Sequence, residues 1–261
     1  MNIDLVNEVI DGRYYVLEAL DEGGSSSVFK AKDLIGGRVV ALKKYKTSDP
    51  ANVKKIIDGI EKELKILRYT SHPVLPKIYN IVKQERDFFL VMEYVEGINL
   101  KKYTKDKGRL KNKEVIKIMN QVCSGLYYLH SLEPPIVYRD LKPSNIMIRN
   151  DGSVKLIDFG IAKRYNRELY VDEWALGSKG FAAPEQVGDM KGHGLYNTDI
   201  RSDIYGVGTT IYYLKTGKIY QGQASSWRIN YKLQKIIKKC TMSNPDMRYQ
   251  NCIELLCDLN R

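Results

Sequence analysis

Residues 136–160 read IVYRDLKPSNIMIRNDGSVKLIDFG. Two short apolar runs, Ile146-Met147-Ile148 and Val154-Lys155-Leu156-Ile157, flank Asn150-Asp151-Gly152. Apolar runs on either side of an Asp-Gly turn predict a β-hairpin. Asp140 and Asn145 precede its first strand and Asp158 follows its second. The open ends of such a hairpin bring an Asp, an Asn and a second Asp close together. Hard cations such as Mg²⁺ favour that oxygen-donor set, and they commonly arrive with a phosphate.

The run Asp140-Leu141-Lys142-Pro143-Ser144-Asn145, followed thirteen residues after the Asn by Asp158-Phe159-Gly160, has the form D-L-x-x-x-N … D-F-G. Those two motifs at that separation carry the catalytic and metal-binding pattern of protein kinases. The chain resembles the eukaryotic-like serine/threonine protein kinases of bacteria. The resemblance implies an α+β, two-lobed fold: a small five-stranded antiparallel lobe with one main helix, then a larger, mostly helical lobe. It also implies two cofactors, ATP and Mg²⁺.

Bulk composition is compatible with this. The 261 residues are 43% hydrophobic and 28% charged, enough to bury a core and unlike a disordered chain. No apolar run reaches the eighteen or so residues of a membrane span, and residues 1–11 lack the apolar centre of a signal peptide. Cys123, Cys240, Cys252 and Cys257 show no CxxC spacing and read as reduced thiols. The net charge of +11 comes from scattered lysines, without the aromatic interleaving of a nucleic-acid platform, so no nucleic acid is expected.

From the N-terminus, residues 13–20, 27–33 and 39–45 read as three strands. Asp21 to Val28 stands at the place of the kinase glycine-rich loop and departs from it. Asp21 and Ser26 replace the first and third glycines, while Gly23 matches and Gly24 adjoins it. Strain at a non-glycine position costs about 1–3 kcal/mol, which weakens nucleotide binding up to roughly a hundredfold. Val40-Ala41-Leu42-Lys43 resembles the strand whose lysine neutralises the α- and β-phosphates. Alternation puts Ala41 and Lys43 on one face and Lys44 on the other.

Residues 51–69 read as a helix with Ile56, Ile60, Leu64 and Leu67 at helical spacing. Glu63 lies on that apolar stripe, and Glu61 lies about 200° away beside Lys65 and Arg68. A carboxylate on the buried face needs a partner, so Glu63 is the expected ion-pair partner of Lys43. Residues 74–82 and 88–95 read as the last two strands of the small lobe. The second resembles the kinase hinge, with Met92 beside the adenine and backbone groups of Glu93 and Val95 on the base. Leu20, Val28 and Met147 would complete the nucleotide-binding set. The lobes are assigned to residues 1–95 (nucleotide-binding sheet and regulatory helix) and 96–261 (catalytic loop, activation segment and substrate side), with Gly97 freeing the chain to turn between them.

Residues 113–132 predict an amphipathic helix ending in a packed His130, and residues 203–215 a helix apolar all round. Helices over 229–240 and 250–259 close the chain. Only about thirty residues separate Gly217 from Arg248, which shortens or removes one substrate-docking helix, with Trp227 and nearby tyrosines covering the gap. By the resemblance, Asp140 is the catalytic base and Lys142 and Lys43 are its cationic helpers. Asn145 and Asp158 hold the metal, Ser178 contacts Lys142 and Asp140, Asp203 braces the catalytic loop, and Glu185 pairs with Arg248. The partners implied are ATP and proteins bearing Ser or Thr, self-phosphorylation included. The setting implied is the cytoplasm, or the cytoplasmic domain of a larger membrane receptor. The activation segment has no Ser or Thr from Ile161 to Gly177. An acid among Glu168, Asp172 and Glu173 is therefore expected to stand in for a phosphate against Arg139. The alternative reading is a pseudokinase, a nucleotide-binding scaffold without transfer, supported by the altered glycine-rich loop alone. A small-molecule phosphotransferase is disfavoured by Lys142, Ser178 and Ala183-Pro184-Glu185.

Overall fold

The computed structural model describes residues 5–22, 26–45, 53–85, 87–165, 177–188, 198–224 and 228–261. The chain forms two compact units. The first comprises Met1–Ser71 and Pro76–Glu96, and the second His72–Leu75 and Gly97–Arg261.

In the first unit the strands β1 (Val9–Ile10), β2 (Tyr14–Glu22), β3 (Ser26–Asp33) and β4 (Val39–Tyr45) precede α1 (Val53–Leu67), and β5 (Ile78–Gln84) and β6 (Asp87–Glu93) follow it. The sheet order is β1-β2-β3-β4-β6-β5, every pair antiparallel. The described sheet thus has six strands where the sequence predicted five. The addition is β1, whose two residues are too few for alternation to reveal. Phe29, Ala31, Val40, Leu42, Phe89 and Val91 alternate onto one face and form a core with Tyr14, Val16 and Ile10. The registers Ala41↔Met92, Lys43↔Leu90 and Val28↔Lys43 place the intervening residues on the other face.

A strand start and the role of Gly97 differ from the sequence expectation. The strand expected at 74–82 begins only at Ile78, because Pro73 and Pro76 bracket Val74-Leu75 and deny that stretch a ladder. Val74 and Leu75 are instead buried in the second unit, where the Val74 carbonyl accepts from Leu156 N at 2.8 Å. Gly97 is required for space and not for turning. It lacks a positive φ, and a Cβ there would lie 2.3 Å from the Ile148 carbonyl oxygen.

The second unit begins with β7 (Ile98–Asn99), α2 (Leu100–Lys107) and α3 (Asn112–His130). α2 was not foreseen. It is capped by the Asn99 side chain, which accepts from Lys102 N, and it buries only Leu100 and Thr104, so no apolar stripe announces it. The strand β8 (Ile136–Val137) leads to the catalytic-loop stretch. The predicted hairpin follows as β9 (Ile146–Ile148) and β10 (Val154–Leu156), in register Val154↔Ile148 to Leu156↔Ile146. Then come β11 (Lys163–Arg164), α4 (Pro184–Val187), α5 (Ile200–Thr216), α6 (Tyr231–Cys240) and α7 (Cys252–Asn260). α3 packs on α5 and α7, and α5 on α6. Buried Ile204, Val207, Ile211 and Leu214 make α5 the centre of the unit. It is capped at one end by Asp199 and ended by Gly217 in the left-handed region. Among the described residues between α5 and α6 there is no helix, and Trp227 lies outside them.

Candidate active site

In the first unit the face of β4 carries Ala41 and Lys43, and α1 carries Glu63. Lys43 Nζ donates to both Glu63 oxygens, at 2.9 and 3.2 Å. The Glu63 side chain is wholly buried and that of Lys43 7% exposed, so each ion relieves the other's desolvation. Glu61 is exposed and bonds Lys65 at 3.1 Å, a surface pair one helical turn apart. Lys44, on the opposite face of β4, pairs instead with Asp87 at 2.5 Å. Tyr45, which sequence reasoning missed, also donates its hydroxyl to Glu63 Oε2. The available signal was its position two residues after Lys43, hence on the same face.

The other expected nucleotide-binding residues of this unit are distributed as follows. Met92, Ala41 and Val95 are buried, Val28 and Glu93 half-buried, and Leu20 exposed at the end of β2. Gly23 and Gly24 lie outside the described residues. Asp21, at the first glycine position, is exposed and turned onto its own chain, where its Oδ1 accepts from Glu22 N at 2.9 Å.

In the second unit the chain after β8 converges on Asp140. Lys142 Nζ donates to Asp140 Oδ2 at 2.7 Å and to Ser178 Oγ at 2.6 Å. The Ser178 hydroxyl donates in turn to Asp140 Oδ1 at 2.8 Å. Asn145 Nδ2 donates to the Asp140 carbonyl at 3.0 Å and to its Oδ2 at 2.8 Å. Asn145 belongs to a 3₁₀ turn, Pro143–Asn145, against which α2 packs. The Asn145 carbonyl takes Ile157 N at 2.9 Å, which fixes the segment entering Asp158. Asp158 is exposed, and its Oδ1 accepts from Gly160 N at 3.3 Å. Met147, half-buried on β9, is the remaining expected nucleotide contact.

The backbone here is strained. Arg139 and Asp158 have φ of 70° and 66°, a region that costs a non-glycine residue about 1–3 kcal/mol. Asp203, buried on α5, holds the first of these in place. Its Oδ2 accepts from Tyr138 N at 2.8 Å and its Oδ1 from Arg139 N at 2.7 Å. Gln186 Nε2 donates to the Arg139 carbonyl at 2.8 Å, and the Arg139 guanidinium to Thr198 Oγ1. Glu168, Asp172 and Glu173, expected opposite Arg139, lie outside the described residues.

His130 is also part of this brace. Its Nε2 lies 2.8 Å from Asp203 Oδ2 and its Nδ1 3.8 Å from Cys252 Sγ. Burial pulls the imidazole down, but the bonds to Asp203 and Cys252 outweigh it and the group is raised to about 9. Sequence reasoning left His130 as a packed histidine and missed Gln186 and the Tyr138 hydroxyl, which donates to the Ile157 carbonyl. None of the three carries a local pattern. At the end of the segment Arg248 makes a fork to Glu185 at 2.6 and 2.8 Å, and Ser202 Oγ donates to Glu185 at 2.7 Å.

A strand lysine paired to a helix glutamate, together with an Asp-Lys-Asn loop and a D-F-G end on a helical scaffold, defines the protein kinase fold class. A family model described as the protein kinase domain matches residues 14–260, and the chain belongs to that family. It is 32% identical over 275 residues to the serine/threonine-protein kinase PrkC of Bacillus subtilis, covering 98% of this chain and 41% of PrkC. It is 29% identical to a probable serine/threonine-protein kinase PknB of Lactococcus lactis, over 97% of this chain and 42% of that protein. With the serine/threonine-protein kinase PknL of Mycobacterium tuberculosis the identity is 30%, over 98% of this chain and 67% of PknL. The chain thus spans about two fifths of the length of PrkC and PknB.

Proposed function

We propose that this chain transfers the γ-phosphoryl group of ATP to serine or threonine hydroxyls of proteins, in bacterial signalling. The observation that carries this is the seat of Ser178 on Asp140. A seryl hydroxyl already donates to Oδ1 at 2.8 Å, while Lys142 and Asn145 occupy Oδ2. Asp140 therefore has an oxygen aimed to accept a proton from an alcohol, held by donors that keep the carboxylate oriented. An incoming substrate hydroxyl would take an equivalent bond, and Asp140 would orient it and accept its proton as the oxygen attacks phosphorus. Lys142 lies against the same carboxylate and would stabilise negative charge spreading over the transferred group. Lys43, fixed by Glu63, would hold the α- and β-phosphates.

The residues fit a hard divalent cation. Asn145 spends its amide nitrogen on Asp140, which leaves the carbonyl oxygen as its donor to a metal, and the Asp158 carboxylate is exposed. Asn145 and Asp158 would hold Mg²⁺ there, and the ion would supply positive charge against the phosphates of ATP. Leu20, Val28, Ala41, Met92 and Val95 of the first unit would contact the base. The four cysteines are free thiols and no described helix is long and apolar enough to cross a membrane. ATP chemistry and reduced thiols support a cytoplasmic setting, as a free enzyme or as the cytoplasmic domain of a larger membrane receptor.

Radiolabelled ATP with a generic protein substrate tests the assignment. The wild-type chain is expected to label Ser and Thr, and Asp140→Asn to lose about 10²–10⁴-fold in kcat with its fold intact. Equal labelling by the two would overturn the role given to Asp140. No labelling by either, with nucleotide still bound, would favour a nucleotide-binding scaffold.

A further inference from the structure

Tyr45 stands two residues beyond Lys43 at the end of β4, and strand alternation gives both side chains the same face. Its hydroxyl donates to Glu63 Oε2, the oxygen that also takes the shorter, 2.9 Å bond from Lys43. The Lys43 ammonium lies 5.2 Å from the centroid of the Tyr45 ring, so the phenol contacts both members of the ion pair. Glu63 is wholly buried. A carboxylate taken out of water needs its lone pairs filled, and one ammonium donating to both oxygens leaves acceptor capacity over. The Tyr45 hydroxyl fills part of it with a neutral donor that carries no desolvated charge of its own.

We infer that Tyr45 is a positioning residue for phosphoryl transfer: its hydroxyl holds Glu63 inward on α1 and thereby fixes Lys43 where the phosphates of ATP must bind. This rests on the phosphotransfer reading above and adds to it a means of control. Protein kinases need the lysine–glutamate pair in place, and many assemble it by phosphorylating the activation segment. From Ile161 to Gly177 this chain offers no Ser or Thr for that purpose. A tyrosine on the same strand as the lysine supplies a hold on the helix glutamate from within the first unit, with no modification required. Ile60, Ile66 and Leu67 anchor α1 by apolar burial, but they do not set where the Glu63 carboxylate points. The lysine and the tyrosine do.

Tyr45→Phe removes the hydroxyl and keeps the ring beside Lys43. Hydrogen exchange of the purified chain, without nucleotide, reads the hold directly. The α1 amides are expected to exchange roughly ten- to hundredfold faster in Tyr45→Phe, with β2 and β3 unchanged, as for loss of a hydrogen bond to a charged group. Steady-state kinetics read its consequence: KM for ATP rises by a similar factor, KM for the protein substrate does not move, and in a Glu63→Gln background Tyr45→Phe adds no further loss. Wild-type exchange in α1, equal acceleration throughout the first unit, or the same loss in both backgrounds would each overturn the inference. If neither protein transfers phosphate, the phosphotransfer reading fails, and the exchange of α1 alone decides whether Tyr45 holds Glu63.

Discussion

Raising the pH from 6.5 to above 9 should unlatch the brace beneath the catalytic loop, through His130. Its side chain is 4% exposed and that of Asp203 is fully buried, with Nε2 and Oδ2 2.8 Å apart. The imidazole titrates near 6.5 in the unfolded chain and at about 9 in the fold. Because the folded value is the higher one, the folded state holds its proton more tightly. The resulting stability is complete below pH 6.5 and is lost as pH rises through about 9. The span between the two values corresponds to roughly 3 kcal/mol, a large share of a typical domain's roughly 5–15 kcal/mol. For a chain of this size that is roughly 6–12 °C in Tm. Other groups titrate over the same range, so the measurement is a difference: thermal unfolding of wild type and His130→Gln at half-unit steps from pH 6 to 10. Gln keeps a neutral donor for Asp203 and cannot take up the proton. The wild-type advantage should shrink steadily between pH 6.5 and about 9 and vanish above it. The chain has three histidines, so an NMR titration of their ring protons resolves the same event directly. His72, lowered by burial and then by Lys155, should titrate below the usual histidine range, and His130 well above it. A His130 resonance titrating at or below 6.5, or a difference curve flat in pH, would refute the reasoning.

Two further substitutions probe the scaffold. Arg248→Met removes a guanidinium whose side chain is wholly buried, leaving Glu185 and the carbonyls of Met242, Arg201 and Ser243 without it. The expected cost is about 3–5 kcal/mol in urea unfolding, and a loss under about 1 kcal/mol would show the pair to be dispensable. Gly97→Ala sets a methyl 2.3 Å from the Ile148 carbonyl oxygen and must displace either the β7–β9 pairing or Gly97 itself. A loss of about 1–3 kcal/mol is expected, and an unchanged Tm would mean that this stretch yields without cost.

The residues differ in how far they could be read from the chain alone, and the difference is physical. The hairpin was legible because an Asp-Gly turn and two apolar runs act within a dozen residues. Glu63 was separable from Glu61 because a helix turns about 100° per residue, which makes burial a matter of counting. Lys43 and Lys44 were separable for the same reason, with the strand's period of two. α2 was not legible. LKKYTKDK buries two residues, and it is the Asn99 cap, with packing on the Pro143–Asn145 turn, that makes it a helix. Val74-Leu75 looked like strand because apolar runs do, and the flanking prolines argued otherwise. Gln186 and His130 act across 47 and 73 residues of sequence, on a backbone carbonyl and a buried carboxylate. No local pattern encodes such contacts.

Those distant contacts share a purpose that the dihedral angles reveal. Arg139 is held at φ 70° immediately before Asp140, and an unsupported loop would relax toward negative φ and swing the carboxylate away. Asp203 takes Arg139 N, Gln186 takes its carbonyl and Thr198 meets its guanidinium, so the scaffold grips the residue at its backbone and at its side chain. A hydrogen bond to a charged group contributes about 1.5–3 kcal/mol, and the Asp203 bond alone can offset the strain. Asp140 itself is then free to bond only what lies before it: Lys142, Asn145 and the hydroxyl of Ser178. The division is between residues that spend their bonding on keeping the loop strained and residues that spend it on the hydroxyl. Substitutions at Asp203, Gln186 and His130 should therefore move kcat and stability together, whereas those at Lys142 and Ser178 should move kcat alone.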